Sequence, residues 1–204
     1  MYDELQNIQA KLKNKLTEKR YVHTLGVQYT SASLAMRYKI PVFDASLAGL
    51  LHDCAKNYSD EELIKRCLKH NIKISDVEKR NGFLLHAKLG AYYAKSKYGV
   101  ENEEIISAIR YHTTGKPGMS TLEAIVFTAD YIEPSRKPLS NLDDIRSMAF
   151  VDLDEAVYQI LDNTLNYLGD KAVTDNKGRE IDNHTVEAYN YYKKLHDNKF
   201  NRKE

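Results

Sequence analysis

The chain has 204 residues, with 30 Lys and Arg against 29 Asp and Glu, 42% hydrophobic residues and two cysteines. At roughly 150 residues per domain this length fits one domain, and the apolar share is that of a chain with a core rather than a disordered one. A formal charge of +1 disfavours a protein that coats nucleic acid through a basic excess, and two cysteines exclude a disulfide framework, which points to a reducing cytoplasm.

In chain order, the first segment carries Asp3, Glu4 and several lysines with no apolar core, so no signal peptide is expected there. Leu5, Ile8 and Leu12 make it an amphipathic helix. Thr17 can cap a long helix through Val22, Leu25, Tyr29 and Leu34 to Tyr38, ended by Pro41. Asp44 opens a short helix with Leu47, Leu50 and Leu51; the apolar run there, Ala45 to Leu51, is far short of the ~20 residues that span a bilayer. Ser59 and Glu62 form a capping box ahead of Leu63, Ile64 and Leu68. The next helix runs from Leu84 to Tyr98 and stops at Gly99. Ile105, Ile106 and Ile109 mark another. Gly115, Pro117 and Gly118 form a turn, and Ser120 with Glu123 caps a helix through Ile125, Val126 and Ala129 to Pro134. Asp152 and Glu155 precede the stripe Leu153, Val157, Ile160, Leu161, Leu165 and Leu168. Residues 169–180 read as a polar turn, and a last helix spans about His184 to Leu195. No segment alternates with strand chemistry. The expectation is an all-α single domain over 1–204, with its motifs in 17–136 and C-terminal helices at 152–198 packed on them.

Seven histidines need an explanation. His23, the pair His52-Asp53, His86, His112 and Asp130 stand where core or turn residues belong. Asp130 lies four residues after Val126 on that helix's apolar stripe, and Asp53 follows Leu50-Leu51. A buried carboxylate must be paired, protonated or metal-bound. Imidazole and carboxylate suit divalent transition metals, and four neutral His with two Asp can hold two such ions. Gly26, Gly49 and Gly90 share helix faces with candidate ligands, which would leave room for metal and substrate. Lys56 follows Asp53 by three and Arg20 precedes His23 by three, so both cations can reach the same cavity. Together these residues describe a metal-dependent phosphoryl site.

Blander assignments hold elsewhere. His70, His184 and His196 are expected to meet solvent or a helix C-terminus. Cys54 and Cys67 lack zinc-site spacing and are expected to be small buried hydrophobes. Most tyrosines fall on helical stripes, and residues 193–204 form a solvated or frayed charge run. Lys116 and Arg136 sit on loops beside candidate ligands, where substrate contact and plain solvation are equally open.

The blocks HTLGV at His23, LLHDCAK at His52, HAKLGAYYA at His86, HTTGKPGMS at His112 and ADYIEPSR at Asp130 resemble the YqeK family. That family belongs to the HD superfamily of metal-dependent phosphohydrolases and comprises symmetrical diadenosine tetraphosphate hydrolases. The resemblance covers residues 20–136 and implies an HD-domain helical bundle with a dinuclear site in its core. It implies two iron ions, with Mn, Co or Zn as substitutes. His23, His52, Asp53 and Asp130 would hold the first, and Asp53, His86 and His112 the second, with Asp53 bridging.

It further implies cleavage of the tetraphosphate at its centre into two ADP. Two metals ~3.5–4 Å apart can hold a hydroxide that attacks a central phosphorus and polarise the phosphate oxygen. Asp53, Lys56 and Arg20 would be catalytic. Lys56, Arg136 and the turn Thr113-Thr114-Gly115 would bind substrate, the turn through backbone N–H groups. The partner expected is a dinucleoside polyphosphate or nucleoside diphosphate; nucleic acid and membranes are not expected, and a homodimer stays open. The alternatives are a mononuclear HD-type (deoxy)nucleotide phosphohydrolase using His23, His52, Asp53 and Asp130, and a catalytically silent nucleotide-binding module.

Overall fold

The computed structural model describes residues 2–138, 141–174 and 181–200, and everything regular among them is helical. Helix α1 (Tyr2–Lys13) leads into α2 (Glu18–Tyr38), whose N-terminus is capped by the Thr17 hydroxyl. Helix α3 (Val42–Leu51) starts two residues before the expected Asp44, because Pro41 can close the cap position and Asp44 still serves in the first turn. Both capping boxes form: Ser59–Glu62 opens α4 (Asp60–Lys69) and Ser120–Glu123 opens α8 (Thr121–Ile132).

Between them come α5 (Asp76–Arg80), a 3-10 turn at Gly82–Leu84, α6 (Leu85–Tyr98) and α7 (Glu103–Tyr111). Helix α5 has a third capping box, Ser75 with Glu78, that its short length kept out of the periodic pattern. Helix α9 (Leu142–Ala149) was likewise not expected; it buries Leu142, Ile145 and Ala149.

Helix α10 (Leu153–Thr174) continues past Gly169, where a polar turn was expected. A glycine inside a helix costs only about 1 kcal/mol relative to alanine, less than the packed stripe upstream contributes. The rest of that expected turn, 175–180, lies outside the described residues. Helix α11 (Asn183–Phe200) extends beyond Leu195. Its tail is anchored rather than frayed: Lys199 pairs with Asp152 at 2.6 Å and His196 bonds Glu155 at 2.8 Å. His196 also stacks on Tyr158, and His184 lies in the first turn of α11 against the Tyr111 ring, so neither meets a helix C-terminus. His70 caps the C-terminal end of α4 and stacks on Tyr92.

The packing centres on α2, α3, α7 and α8. Helix α2 lies against α3 and α8, α7 joins α3, α6 and α8, and α10 covers α8 and α9 with α11 behind it. The face of α2 turned inward is not the one its apolar residues suggest. Val22 and Tyr29 are 50% and 60% exposed, while His23, Thr24, Val27, Gln28, Ser31 and Leu34 are buried. A polar side is buried there because it carries His23 into the space between α3 and α8.

Close contact of α2 and α3 depends on Gly49. A Cβ at this position would stand 2.8 Å from Ser31 Oγ and 3.0 Å from the Val27 carbonyl, both on α2. Gly49→Ala is therefore expected to lower stability by about 2–3 kcal/mol, since overpacking against backbone cannot relax by a rotamer change. Urea denaturation measures this; an unchanged midpoint would contradict it.

Among the described residues, no helix is long and apolar enough to cross a membrane.

Candidate metal centre

Four histidines and two aspartates converge where α2, α3, α6, α7 and α8 meet. His23 comes from the first half of α2. His52 and Asp53 follow the C-terminal end of α3, His86 sits in the first turn of α6, His112 caps the end of α7, and Asp130 lies near the end of α8. His23, His52, Asp53, His86 and His112 are each 6% exposed or less.

Each imidazole is fixed through Nδ1. His52 Nδ1 meets the Gly49 carbonyl at 2.7 Å, His86 Nδ1 the Phe83 carbonyl at 2.5 Å, and His112 Nδ1 the Ile109 carbonyl at 2.7 Å. His23 Nδ1 meets Glu133 Oε1 at 2.9 Å. Those acceptors place the proton on Nδ1, so all four Nε2 lone pairs face inward.

Inside, acceptor meets acceptor. His52 and His23 have Nε2 atoms 3.3 Å apart, and His86 and His112 have theirs 3.1 Å apart. Asp53 divides its carboxylate between the pairs. Oδ2 lies 3.4 Å from His52 Nε2 and 3.8 Å from His23 Nε2, whereas Oδ1 lies 3.2 Å from His86 Nε2 and 3.6 Å from His112 Nε2. Asp130 Oδ1 adds a contact of 3.0 Å to His23 Nε2. Two triads have ligand atoms within 4.8 Å of one another, His23 with His52 and Asp130, and His52 with Asp53 and His112. Lone pairs so opposed require cations between them, and nitrogen and oxygen donors fit a divalent transition metal.

The ionisation states agree with that requirement. Burial pushes the His86 imidazole down to about 4, and the nearby Lys56 ammonium adds to the effect. Burial alone would raise the Asp53 and Asp130 carboxyls, yet His52 and its neighbouring imidazoles hold Asp53 well below the usual range, and His23 followed by Arg136 does so for Asp130.

The metal-free protein should therefore lose stability as pH falls from 6.5 toward about 4, where the unfolded chain takes a proton that folded His86 refuses. The His86 share is at most about 3 kcal/mol, at about 1.4 kcal/mol per pH unit, and the depressed carboxyls act in the same direction. Denaturation at pH 7 and pH 4.5 after chelation checks this; greater stability at pH 4.5 would contradict it.

Three cations surround the ligands, each engaged with one of them. Arg20 Nη1 donates to Asp53 Oδ2 at 2.7 Å, Lys56 Nζ to His86 Nε2 at 3.1 Å, and Arg136 to both Asp130 Oδ1 and the Asp130 carbonyl. Burial lowers the Lys56 ammonium from its ordinary value. Lys116 turns away and pairs with Glu123 at 3.0 Å.

The turn at 113–115 differs from expectation. Thr113 places its hydroxyl 3.1 Å from His112 Nε2, beside the ligands. The Gly115 N–H is taken by the Tyr111 carbonyl at 2.8 Å, and the Thr114 hydroxyl donates to the Gly115 carbonyl. Gly115 therefore cannot offer its N–H to a phosphate, because this turn closes helix α7.

The glycines beside the ligands also serve packing rather than metal access. A Cβ on Gly26 would collide with Glu133 Oε2, and one on Gly90 would stand 3.4 Å from the His52 carbonyl. Cys54 is buried against the Gly90 carbonyl with its thiol pushed up to about 12 by burial, which keeps it protonated and out of the ligand set.

Glu133 is the residue missing from the expected site. It is 1% exposed, holds His23, and accepts from the Ser135 N–H at 2.6 Å and the Ser135 hydroxyl at 2.7 Å. Its sequence signal is its place three residues after Asp130, which puts both on one face of α8. Glu133→Gln should weaken metal binding about 10–100-fold while the fold persists, as loss of an outer carboxylate does elsewhere. Calorimetric titration with Mn2+ measures it, and an unchanged affinity would contradict the role.

Residues 20–135 match the HD domain family model. The chain is 41% identical over 157 residues to a symmetrical bis(5′-nucleosyl)-tetraphosphatase of Halalkalibacterium halodurans, covering 77% of this chain and 83% of that one. A protein of the same name from Bacillus subtilis is 40% identical, with 78% and 84% covered. The crystal structure of a predicted HD superfamily hydrolase involved in NAD metabolism from Clostridium acetobutylicum superposes with a TM-score of 0.87 at 39% identity, over 96% of this chain and 98% of that one.

Proposed function

The chain belongs to the HD-domain family and, within it, to the symmetrical bis(5′-nucleosyl)-tetraphosphatases, and from that premise we propose that it hydrolyses diadenosine tetraphosphate at its centre into two ADP. The observation that carries this is the forked Asp53 carboxylate, one oxygen toward His23 and His52 and the other toward His86 and His112. On this reading His23, His52, Asp53 and Asp130 hold one divalent ion, and Asp53, His86 and His112 hold a second. Iron is the ion proposed, with Mn, Co or Zn accepted by the same donors. Such ions supply charge neutralisation at phosphate oxygens and water acidic enough to lose a proton near neutral pH.

The chain's own residues then orient and neutralise the substrate. A tetraphosphate bridge carries about four negative charges, and the formal charge of +1 gives the protein no general field to attract it. Attraction is local: Arg20, Lys56 and Arg136 ring the ligands. Phosphoryl transfer needs little covalent help from protein, so positioning and charge stabilisation dominate. The Lys56 ammonium is the best placed of the three to meet charge developing on the departing ADP. Thr113 adds a hydroxyl donor at the same end. The compartment proposed is the cytoplasm.

The test is chelation, anaerobic reloading with Fe2+, and measurement of bound metal and turnover. Two ions per chain with turnover of diadenosine tetraphosphate are expected. One ion with preference for a deoxynucleoside monophosphate would replace this reading with the mononuclear one. Nucleotide binding without turnover of either would replace it with a silent module.

A further inference from the structure

Beside the metal ligands lies a cavity of about 70 Å³ that the metal chemistry does not use. His112 and Asp130 form one end of it, and Arg136 also borders it. Phe127, Ile160 and Leu161 give it an apolar lining, each 5% exposed or less. The remaining polar lining includes Thr113, Thr164 and Thr185. Helices α10 and α11 thus supply part of the wall, although their sequences carry no motif.

Thr185 is the telling residue. It is 6% exposed, and its backbone N–H bonds the Asp182 carbonyl at 3.0 Å. Its hydroxyl has no partner among the described residues, and buried hydroxyls rarely stay so without water or a ligand. Thr164 donates to the Ile160 carbonyl at 2.7 Å and keeps lone pairs to accept another bond. The cavity therefore offers hydroxyl donors and acceptors over an apolar surface.

We infer that this cavity is a sugar subsite, holding the ribose of one nucleotide half with its 2′- and 3′-hydroxyls on Thr164 and Thr185. The identity of the ligand rests on the tetraphosphatase reading. A phosphate is a poorer occupant, because Arg136, the one cation lining the cavity among the described residues, is paired with Asp130 and the rest of the lining is largely apolar. A base is a poorer occupant by connectivity. Outward from the central phosphates come the outer phosphate, the ribose and only then the base, and this cavity directly adjoins His112 and Asp130.

The test is competition binding to the metal-loaded full chain by ADP, 2′,3′-dideoxy-ADP and inorganic pyrophosphate. ADP should bind at least about tenfold more tightly than the dideoxy compound, a modest figure for lost buried hydrogen bonds. Thr185→Val should bring that ratio close to one with pyrophosphate binding unchanged, and Thr185→Ser should retain the preference. Equal binding of ADP and dideoxy-ADP by the unmodified protein would overturn the subsite, as would a fall in pyrophosphate binding in step with ADP. Turnover of diadenosine tetraphosphate without a sugar preference sinks the subsite alone. A sugar preference without turnover sinks the activity reading and leaves the subsite standing.

Discussion

Asp53→Asn is expected to reduce turnover by at least about 10³-fold and to leave fewer than one tightly bound metal ion per chain. The substitution keeps the shape of the side chain and removes its charge, so packing around it changes little. Its consequence comes from position. One oxygen serves the His23–His52 pair and the other the His86–His112 pair, so a single neutral amide weakens both groups of donors. Arg20, which donates to Asp53 Oδ2 at 2.7 Å, loses its carboxylate at the same time and faces imidazoles instead. Unpaired charge near buried donors is among the most costly single changes a site can suffer. Metal analysis together with turnover measures the effect. Full metal content with unimpaired turnover would remove Asp53 from the centre of the account.

His86→Ala should separate a dinuclear from a mononuclear site. His86 is 1% exposed and stands 3.2 Å from Asp53 Oδ1, with no contact to the His23–Asp130 side of the cluster recorded among the described residues. Its removal is expected to reduce bound metal from two ions to one and turnover by at least about 100-fold, beyond the usual cost of losing an outer partner. Lys56 loses its imidazole acceptor too and is left partly buried. The variant's far-ultraviolet circular dichroism should match that of the unmodified protein, since α6 keeps Leu85, Leu89 and Ala94 in the core. Unchanged turnover with one ion would assign His86 to structure and favour the mononuclear alternative.

Much of this site is legible in the chain because burying charge is expensive. A carboxylate on an apolar stripe, as at Asp130, announces a partner, and His52-Asp53 after two leucines does the same. Helices announced by a cap, such as α4 and α8, are readable from three-residue spacings alone. What stays hidden depends on pairs of elements. The inward face of α2 cannot be inferred from its own residues, since its apolar Val22 and Tyr29 face out and its polar face meets α3 and α8. Glu133 carries no meaning until α8 lies beside α2 and Gly26 leaves it room. The Gly115 N–H looks free in a glycine-rich turn and is taken by a carbonyl of the preceding helix. Thr185 becomes relevant only once α11 lies against α10 beside the metal ligands.

The charge of +1 takes on a more specific meaning in this setting. It excludes a diffuse attraction for polyanions, and the structure concentrates Arg20, Lys56 and Arg136 around one cluster of ligands instead. Their placement matches a small, highly charged nucleotide better than a long one.

The most direct test of the account is the identity of the products. The metal-reloaded protein is incubated anaerobically with diadenosine tetraphosphate and the nucleotides are separated. Two ADP per substrate consumed is the predicted result, and ATP with AMP in equal amounts would contradict it.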